Sequence, residues 1–214
     1  GRYMTAVRVN QPQARIIRPS AELAWFAADA GRALLAAGDS VGARAWLMAM
    51  VPLARDGQTD AAAAGLALAP LLNLNVSEGR DAVLSSIIGE VLEYWWQGEV
   101  ANNSAHRHQR ATRLYTVLSA LGHDVPAKLW LPLYEVPSRD PQQSHTALLI
   151  GLERAAAANR RGEVVLLSLL LLGDRGPEWS DTITLGRIVL ALRQVGLERD
   201  ATAVAFEGLL AVGF

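Results

Sequence analysis

The chain has 214 residues, of which 51% are apolar and 19% are charged. That composition excludes a disordered chain, because half of the residues can enter a core that offsets the entropy of ordering. The absence of cysteine excludes disulfides and zinc thiolate sites, and a net charge of −1 provides no field that would gather nucleic acid. No apolar run approaches the roughly 18 residues of a membrane span, so we expect a soluble protein.

Arginine supplies nearly every positive charge, since Lys128 is the only lysine. This bias is typical of a GC-rich bacterial genome and favours a bacterial source. We therefore expect the protein in the bacterial cytoplasm, or in the periplasm if a signal peptide is missing from the sequence.

The first 18 residues differ from the rest of the chain. Apolar residues alternate with arginines here, and Pro12 and Pro19 interrupt any helical pattern. Residues 1–18 are therefore predicted to form an extended, arginine-rich N-terminal arm.

From residue 19 onward, apolar residues recur at helical spacing, which predicts an all-α fold. We expect one domain over residues 19–214, with a flexible break near 98–104 where Gly98, Asn102 and Asn103 interrupt the pattern. Residues 164–172 are almost entirely apolar, so this helix is expected to be buried on most sides. The predicted helices cover residues 20–37, 43–54, 59–72, 81–97, 104–121, 126–134, 140–160, 164–172, a segment from 180 and 197–212.

Glycines recur in similar surroundings at several predicted turns. Gly38, Gly122, Gly162 and Gly196 each have a small or apolar residue four positions before and another five positions after. A glycine at the end of a helix supplies a left-handed conformation, and a small residue lets the next helix approach closely. A helical pair of this size cannot bury its own faces, so the pattern predicts that pairs stack on one another.

One predicted pair carries a recognisable motif: Gly31, Leu34, Gly38, Asp39, Ala43 and Leu47 are similar to a tetratricopeptide-type helical pair. The chain as a whole resembles the broad tetratricopeptide/HEAT-like class of α-solenoids. The resemblance implies about ten helices in five antiparallel hairpins, stacked so that a concave surface holds another protein or peptide. The alternative is a compact helical bundle.

Aromatic residues and arginines are common anchors of protein interfaces. Trp95 and Trp96 are adjacent, so on a helix they point about 100° apart and cannot both face one core. Alternatively, the aromatic residues fill gaps between hairpins and the arginines form a solvated helix face. The candidate contact residues are Trp25, Tyr94, Trp96, Arg107, Arg110 and Arg113.

The predicted C-terminal helix has a second apolar stripe, formed by Phe206, Leu210 and Phe214. The last repeat of a solenoid normally presents a polar outer face. The stripe therefore predicts a contact patch that packs against a second copy, another partner or the N-terminal arm.

Two pairs of polar side chains are candidates for chemistry. His106 and His108 stand two residues apart, so on a helix they point about 200° apart and cannot chelate one metal, whereas an unwound segment after Asn103 would allow it. A solvated turn is the favoured interpretation. Glu90 and Glu93 lie beside aromatic residues, an arrangement typical of glycan-cleaving sites, but no catalytic motif accompanies them.

The sequence thus favours a protein–protein interaction scaffold or adaptor that performs no catalysis and needs no cofactor or metal. Two alternatives remain: a helical accessory domain of a cell-wall enzyme that cleaves glycans, and a helical bundle that binds a ligand in its interior.

Overall fold

The structure is a computed structural model that describes residues 12–13, 15–75, 82–101, 106–134 and 146–214. These residues contain ten α-helices and no strand, so the predicted all-α fold is confirmed. Short 3₁₀ segments cover Ala21–Phe26, Asn73–Asn75 and Pro177–Trp179. The helices are α1 (Ala27–Ala36), α2 (Ser40–Arg55), α3 (Thr59–Leu72), α4 (Ala82–Ala101), α5 (Arg107–Leu121), α6 (Ala127–Tyr134), α7 (Thr146–Ala157), α8 (Arg161–Leu172), α9 (Thr182–Gln194) and α10 (Glu198–Leu210).

Three of the aligned glycines have the predicted role at the end of a helix. Gly38, Gly122 and Gly196 have φ values of 78°, 93° and 74°, and each follows the last turn of its helix. Gly162 differs, because it is the second residue of α8. The left-handed residue between α7 and α8 is Asn159, with φ 53°.

Part of the N-terminal arm is helical. Residues 12–13 and 15–16 are helical, and the amide of Ile17 donates to the carbonyl of Gln13 over 3.3 Å. The prediction of an extended arm is therefore wrong for these residues. Residues 1–11 and 14 lie outside the described residues.

The chain divides into two compact units, Gly1–Val76 (unit 1) and Ser77–Phe214 (unit 2). The sequence instead suggested one domain over 19–214 with a break near 98–104. Helix α4 continues to Ala101, and residues 102–105 lie outside the described residues.

In unit 1, helices α1, α2 and α3 all pack on one another. Trp46, Met50 and Leu68 are fully buried at the centre, as the apolar stripe of α2 predicted for Trp46. A Cβ atom on Gly31 of α1 would lie 2.5 Å from Leu68 of α3, so the missing side chain makes room for this leucine. The core of unit 1 also contains Leu34, Leu71 and Leu72, together with five buried alanines: Ala27, Ala30, Ala43, Ala61 and Ala64.

In unit 2, α9 is the central helix and packs against α5, α7, α8 and α10. A Cβ atom on Gly186 of α9 would lie 2.6 Å from the methyl group of Thr116 on α5, so these two helices lie very close. Helix α5 also contacts α10, although α5 precedes α9 and α10 by several helices. A strictly serial stack would separate them, so the stacked arrangement of hairpins stays a prediction.

Candidate functional site

Among the described residues of unit 2, α8 has more exposed large apolar side chains than any other helix. Its outward side chains Val165, Leu166, Leu169 and Leu170 are 40%, 58%, 61% and 54% exposed, and we call these four residues the α8 face. The helix buries only Val164 and Ser168. The expectation that residues 164–172 are buried on most sides is therefore wrong, because α7 and α9 contact this helix and leave the α8 face uncovered.

The α8 face is bordered by glycines and then by charged side chains. Gly162 and Gly173 are exposed at its two ends, and no charged residue occurs between Val164 and Leu172. Arg160 and Glu163 form an ion pair of 2.8 Å at one end. The face is thus a purely aliphatic strip with a polar rim, which is the usual composition of a protein contact surface.

One hydrogen bond fixes the N-terminal end of α8. The Nε atom of Arg161 donates to the carbonyl oxygen of Val195, directly after α9, over 2.7 Å. An arginine that donates to the C-terminal end of a helix satisfies a carbonyl that has no partner within the helix. Because α8 buries little of its own surface, this bond helps to hold the α8 face in one orientation.

The predicted arginine face of α5 is mostly directed inward. Arg110 forms an ion pair with the buried Glu99 over 2.7 Å and donates to the carbonyl of Gly213 over 3.0 Å. Its guanidinium also lies 4.6 Å from the ring centre of Phe214. This side chain joins α4, α5 and the chain beyond α10, which corrects its expected role as part of an open partner-binding patch.

Arg113 is buried, and one of its Nη atoms donates to the carbonyl of Pro177 over 2.9 Å. Burial lowers the pKa of its guanidinium, while the nearby Asp181 carboxylate acts in the opposite direction. The expectation that Arg113 contacts a partner is therefore corrected, because its side chain fills the interior of unit 2. Arg107 is half-buried.

The predicted C-terminal contact patch is also largely internal. Phe206 and Phe214 are buried, and Leu210 is half-buried. The ring of Phe214 stacks on Trp95 of α4 at 5.3 Å, with an angle of 27° between the ring planes. These aromatic residues pack inside unit 2. The prediction of an outward contact patch at Phe206, Leu210 and Phe214 is therefore corrected.

The three predicted aromatic anchors do not form one surface. Trp25 belongs to unit 1 and is 67% exposed, whereas Tyr94 and Trp96 belong to unit 2. Tyr94 is exposed, and Trp96 is half-buried with its ring 5.7 Å from the ring of His108. Trp95 is completely buried, which confirms that the two adjacent tryptophans face different surroundings.

Trp25 lines an open cleft of about 310 Å³ in unit 1. The other walls are the start of α3, including Thr59 and Asp60, and the 3₁₀ segment with Glu22. Besides Trp25, the cleft is lined by the carboxylates of Glu22 and Asp60, so it offers a partner little apolar area. The cleft is therefore a weaker docking candidate than the α8 face.

The candidates for chemistry do not assemble into a reactive site. Glu90 is exposed, and Glu93 forms a 2.6 Å ion pair with Lys128. His106 is exposed at the start of α5, and among the described residues no group of three His, Asp or Glu side chains could hold a metal. None of the helices in the described part of the chain is long and apolar enough to cross a membrane.

Sequence reasoning missed the α8 face although its residues were singled out. The apolar run at residues 164–172 was the available signal. It predicts a buried helix, whereas four of its side chains are exposed. The sequence matches no family model, and neither curated proteins nor solved structures show a match to it.

Proposed function

We propose that this chain is a protein–protein interaction module, a scaffold or adaptor, and that the α8 face is its docking surface. The observation that carries the proposal is the exposure of Val165, Leu166, Leu169 and Leu170 on one side of a single helix. Exposed apolar patches of this kind on a soluble protein are typical of interaction sites.

The energetics support a contact on this surface. Covering a half-exposed aliphatic side chain contributes about 1 kcal/mol, so the four side chains of the α8 face together contribute about 4 kcal/mol. A partner must also offset the loss of its rotational and translational freedom, which costs at least about 4 kcal/mol. The partner therefore has to bring apolar side chains of its own that fit between the leucines.

Photocrosslinking tests the docking surface directly. A benzophenone amino acid at position 169 should crosslink to a polypeptide in the cells that naturally make the protein. Position 48 is the matched control, because Met48 on α2 is 62% exposed but lies on a surface shared with Arg44 and Arg55. The proposal predicts a distinct crosslinked band from position 169 and none from position 48. Equal crosslinking from both positions, or none from position 169, would overturn it.

A further inference from the structure

Two exposed tryptophans of this chain differ in what lies against their rings. Trp25 and Trp179 are almost equally exposed, at 67% and 66%. The guanidinium of Arg175 lies 5.4 Å from the ring centre of Trp179, so that ring already has a cation of its own chain beside it. Within the described residues, no arginine or lysine lies over the ring of Trp25, which instead shares a cleft with two carboxylates.

The cleft beside Trp25 is formed by two segments of unit 1. One is the 3₁₀ segment Ala21–Phe26, which carries Glu22 and Trp25, and the other is residues 57–60 at the start of α3. Gly57 has a φ of 88° and turns the chain between α2 and α3. The volume of about 310 Å³ is at the small end of ligand sites, which begin at about 300 Å³. Such a cleft fits one long side chain rather than the face of a helix.

The ring of Trp25 is connected to the core of unit 1 through its neighbour Phe26. The centres of these two rings are 5.6 Å apart, and Phe26 in turn meets the buried Trp46 edge-on at 6.1 Å. The indole therefore has a fixed support while most of its surface stays open. A ring that is already positioned loses little side-chain freedom when a ligand binds to it.

The charges that line the cleft are negative. Glu22 and Asp60 both line it, and neither takes part in an ion pair or a side-chain hydrogen bond within the described part of the chain. The N-terminal end of α3 contributes roughly half a positive charge, which two carboxylates outweigh. The arginines closest to them in sequence, Arg18 and Arg55, are exposed and do not line the cleft. An anionic ligand is therefore disfavoured here.

A tryptophan ring and carboxylates in one small cleft are the groups that recognise an organic cation. We propose that this cleft binds a basic side chain of another polypeptide, with its cationic end over Trp25 and beside Glu22 and Asp60. Arginine fits best, because a planar guanidinium stacks on an aromatic ring while its edge donates to carboxylates. The site goes beyond the proposed function, since it shares no residue with the α8 face.

Nuclear magnetic resonance of the whole ¹⁵N-labelled chain tests the proposal, because each tryptophan indole gives its own signal. Trp25→Phe identifies the signal of Trp25 by its disappearance. Acetyl-Gly-Arg-Gly-amide should shift this signal, with a dissociation constant on the order of 1 mM. The same peptide with citrulline, an uncharged analogue of arginine, should leave the signal unchanged. The signal of Trp179 should respond to neither peptide, because Arg175 already lies beside that ring.

Variants of the carboxylates test the charge. Glu22→Gln and Asp60→Asn should each weaken binding of the arginine peptide about threefold or more, and added salt should weaken it in the wild type. Asp56→Asn is the matched control, because Asp56 is exposed four residues before Asp60 but does not line the cleft. It should leave the affinity unchanged. Circular dichroism should show the same helical content in all three variants.

Three results would overturn the proposal: no shift of the Trp25 signal at any concentration of the arginine peptide, equal binding of the citrulline peptide, or Glu22→Gln and Asp60→Asn variants that bind no more weakly than Asp56→Asn. Tetramethylammonium chloride distinguishes a small free cation from a side chain. Weaker binding of this salt than of the arginine peptide supports a polypeptide ligand, and tighter binding would overturn it. The crosslink from position 169 tests the α8 face separately from all of these results.

Discussion

In unit 1 the helices pack through apolar side chains, both large and small, whereas in unit 2 arginines also connect elements that are far apart in sequence. The core of unit 1 includes five buried alanines, and Gly31 makes room for Leu68. Its described ion pairs, Arg15 with Asp39 and Arg32 with Asp29, each include an exposed side chain. Close packing of apolar side chains is therefore the main link between the helices of unit 1.

Unit 2 adds a set of bonds from guanidinium groups to backbone carbonyls. Each bond joins a helix to the end of another helix or to a turn, and the residues are between 34 and 103 positions apart. Among the described residues of unit 1 no arginine makes such a bond. The four pairs are Arg110 to Gly213, Arg113 to Pro177, Arg161 to Val195 and Arg193 to Leu121.

The comparison teaches how a helix can keep an apolar face uncovered. Helix α3 of unit 1 buries Leu68, Leu71 and Leu72. Helix α8 buries few of its leucines and is fastened in part by Arg161. Helix α8 thus combines exposed leucines with a directional bond to the end of α9.

The largest effect is expected from truncating the core of unit 1. Trp46 is fully buried and meets Phe26 edge-on, with 6.1 Å between the ring centres. Trp46→Ala should destabilise unit 1 by about 3–5 kcal/mol, because it leaves a large cavity in a closely packed core. Hydrogen exchange should show lost protection in α1, α2 and α3. Unchanged protection in these helices would contradict a core that depends on packing.

The second-largest effect on stability is expected when an arginine that donates to a backbone carbonyl in unit 2 is removed. Arg113→Ala should lower the free energy of unfolding by about 2–3 kcal/mol, because it removes a charged hydrogen bond to the carbonyl of Pro177 and the packing of the side chain. Arg113→Met should lose less, since it keeps the apolar stem. Urea unfolding gives these values. The exposed Arg44→Ala is the control, and a loss no larger than in this control would show that the bond is dispensable.

A smaller effect distinguishes two glycines of unit 1. Gly31→Ala should destabilise the protein by about 1–3 kcal/mol, because the new methyl group would meet Leu68 at 2.5 Å. Gly65→Ala, on α3, has no atom within 4 Å of the new methyl group. It should stabilise the protein by roughly 0.5–1 kcal/mol. Thermal unfolding measures both changes in stability. If both variants are stabilised, or both destabilised, the close approach of α1 and α3 is contradicted.

The smallest predicted effect is on the pH dependence of stability, and it arises from His123, which lies just after α5. Burial, and secondarily the charge of Arg193, lowers the pKa of His123 below its ordinary value of 6.5. The unfolded chain therefore binds this proton more tightly than the folded chain. The free energy of unfolding should be unaffected by His123 above about pH 7 and should fall as the pH drops below about 6.5.

His123→Gln should flatten this decrease between about pH 7 and pH 5.5, a range above the ordinary pKa values of carboxylates. His106→Gln is the matched control, since His106 is exposed. An identical slope of stability against pH in the wild type and His123→Gln would show that this histidine does not contribute.

Much of the fold follows from local sequence signals. Gly38, Gly122 and Gly196 end helices because a left-handed conformation favours glycine, and Asp181 caps α9 by accepting from the amide of Thr184. Trp46 was predictable because it lies on a regular apolar stripe. Such signals depend only on neighbouring residues, so they can be recognised without the tertiary structure.

The site was harder to predict because its features depend on distant contacts. Arg110, Arg113 and their spacing indicate a helix face, but their acceptors Gly213 and Pro177 lie 103 and 64 residues away. Helix α8 is apolar on nearly all sides, so its sequence has no polar stripe that would mark the exposed face. Only the positions of α7 and α9 decide which leucines remain uncovered.

Hydroxyl-radical footprinting of the folded chain tests the central claim most directly, because it measures the exposure of individual leucines. The account predicts that Leu166 and Leu169 are labelled strongly in dilute protein and lose labelling when α8 docks, while Met48 in unit 1 keeps its labelling. Leucines of the α8 face that are protected in the dilute monomer, or that remain equally labelled in the native complex, would contradict it.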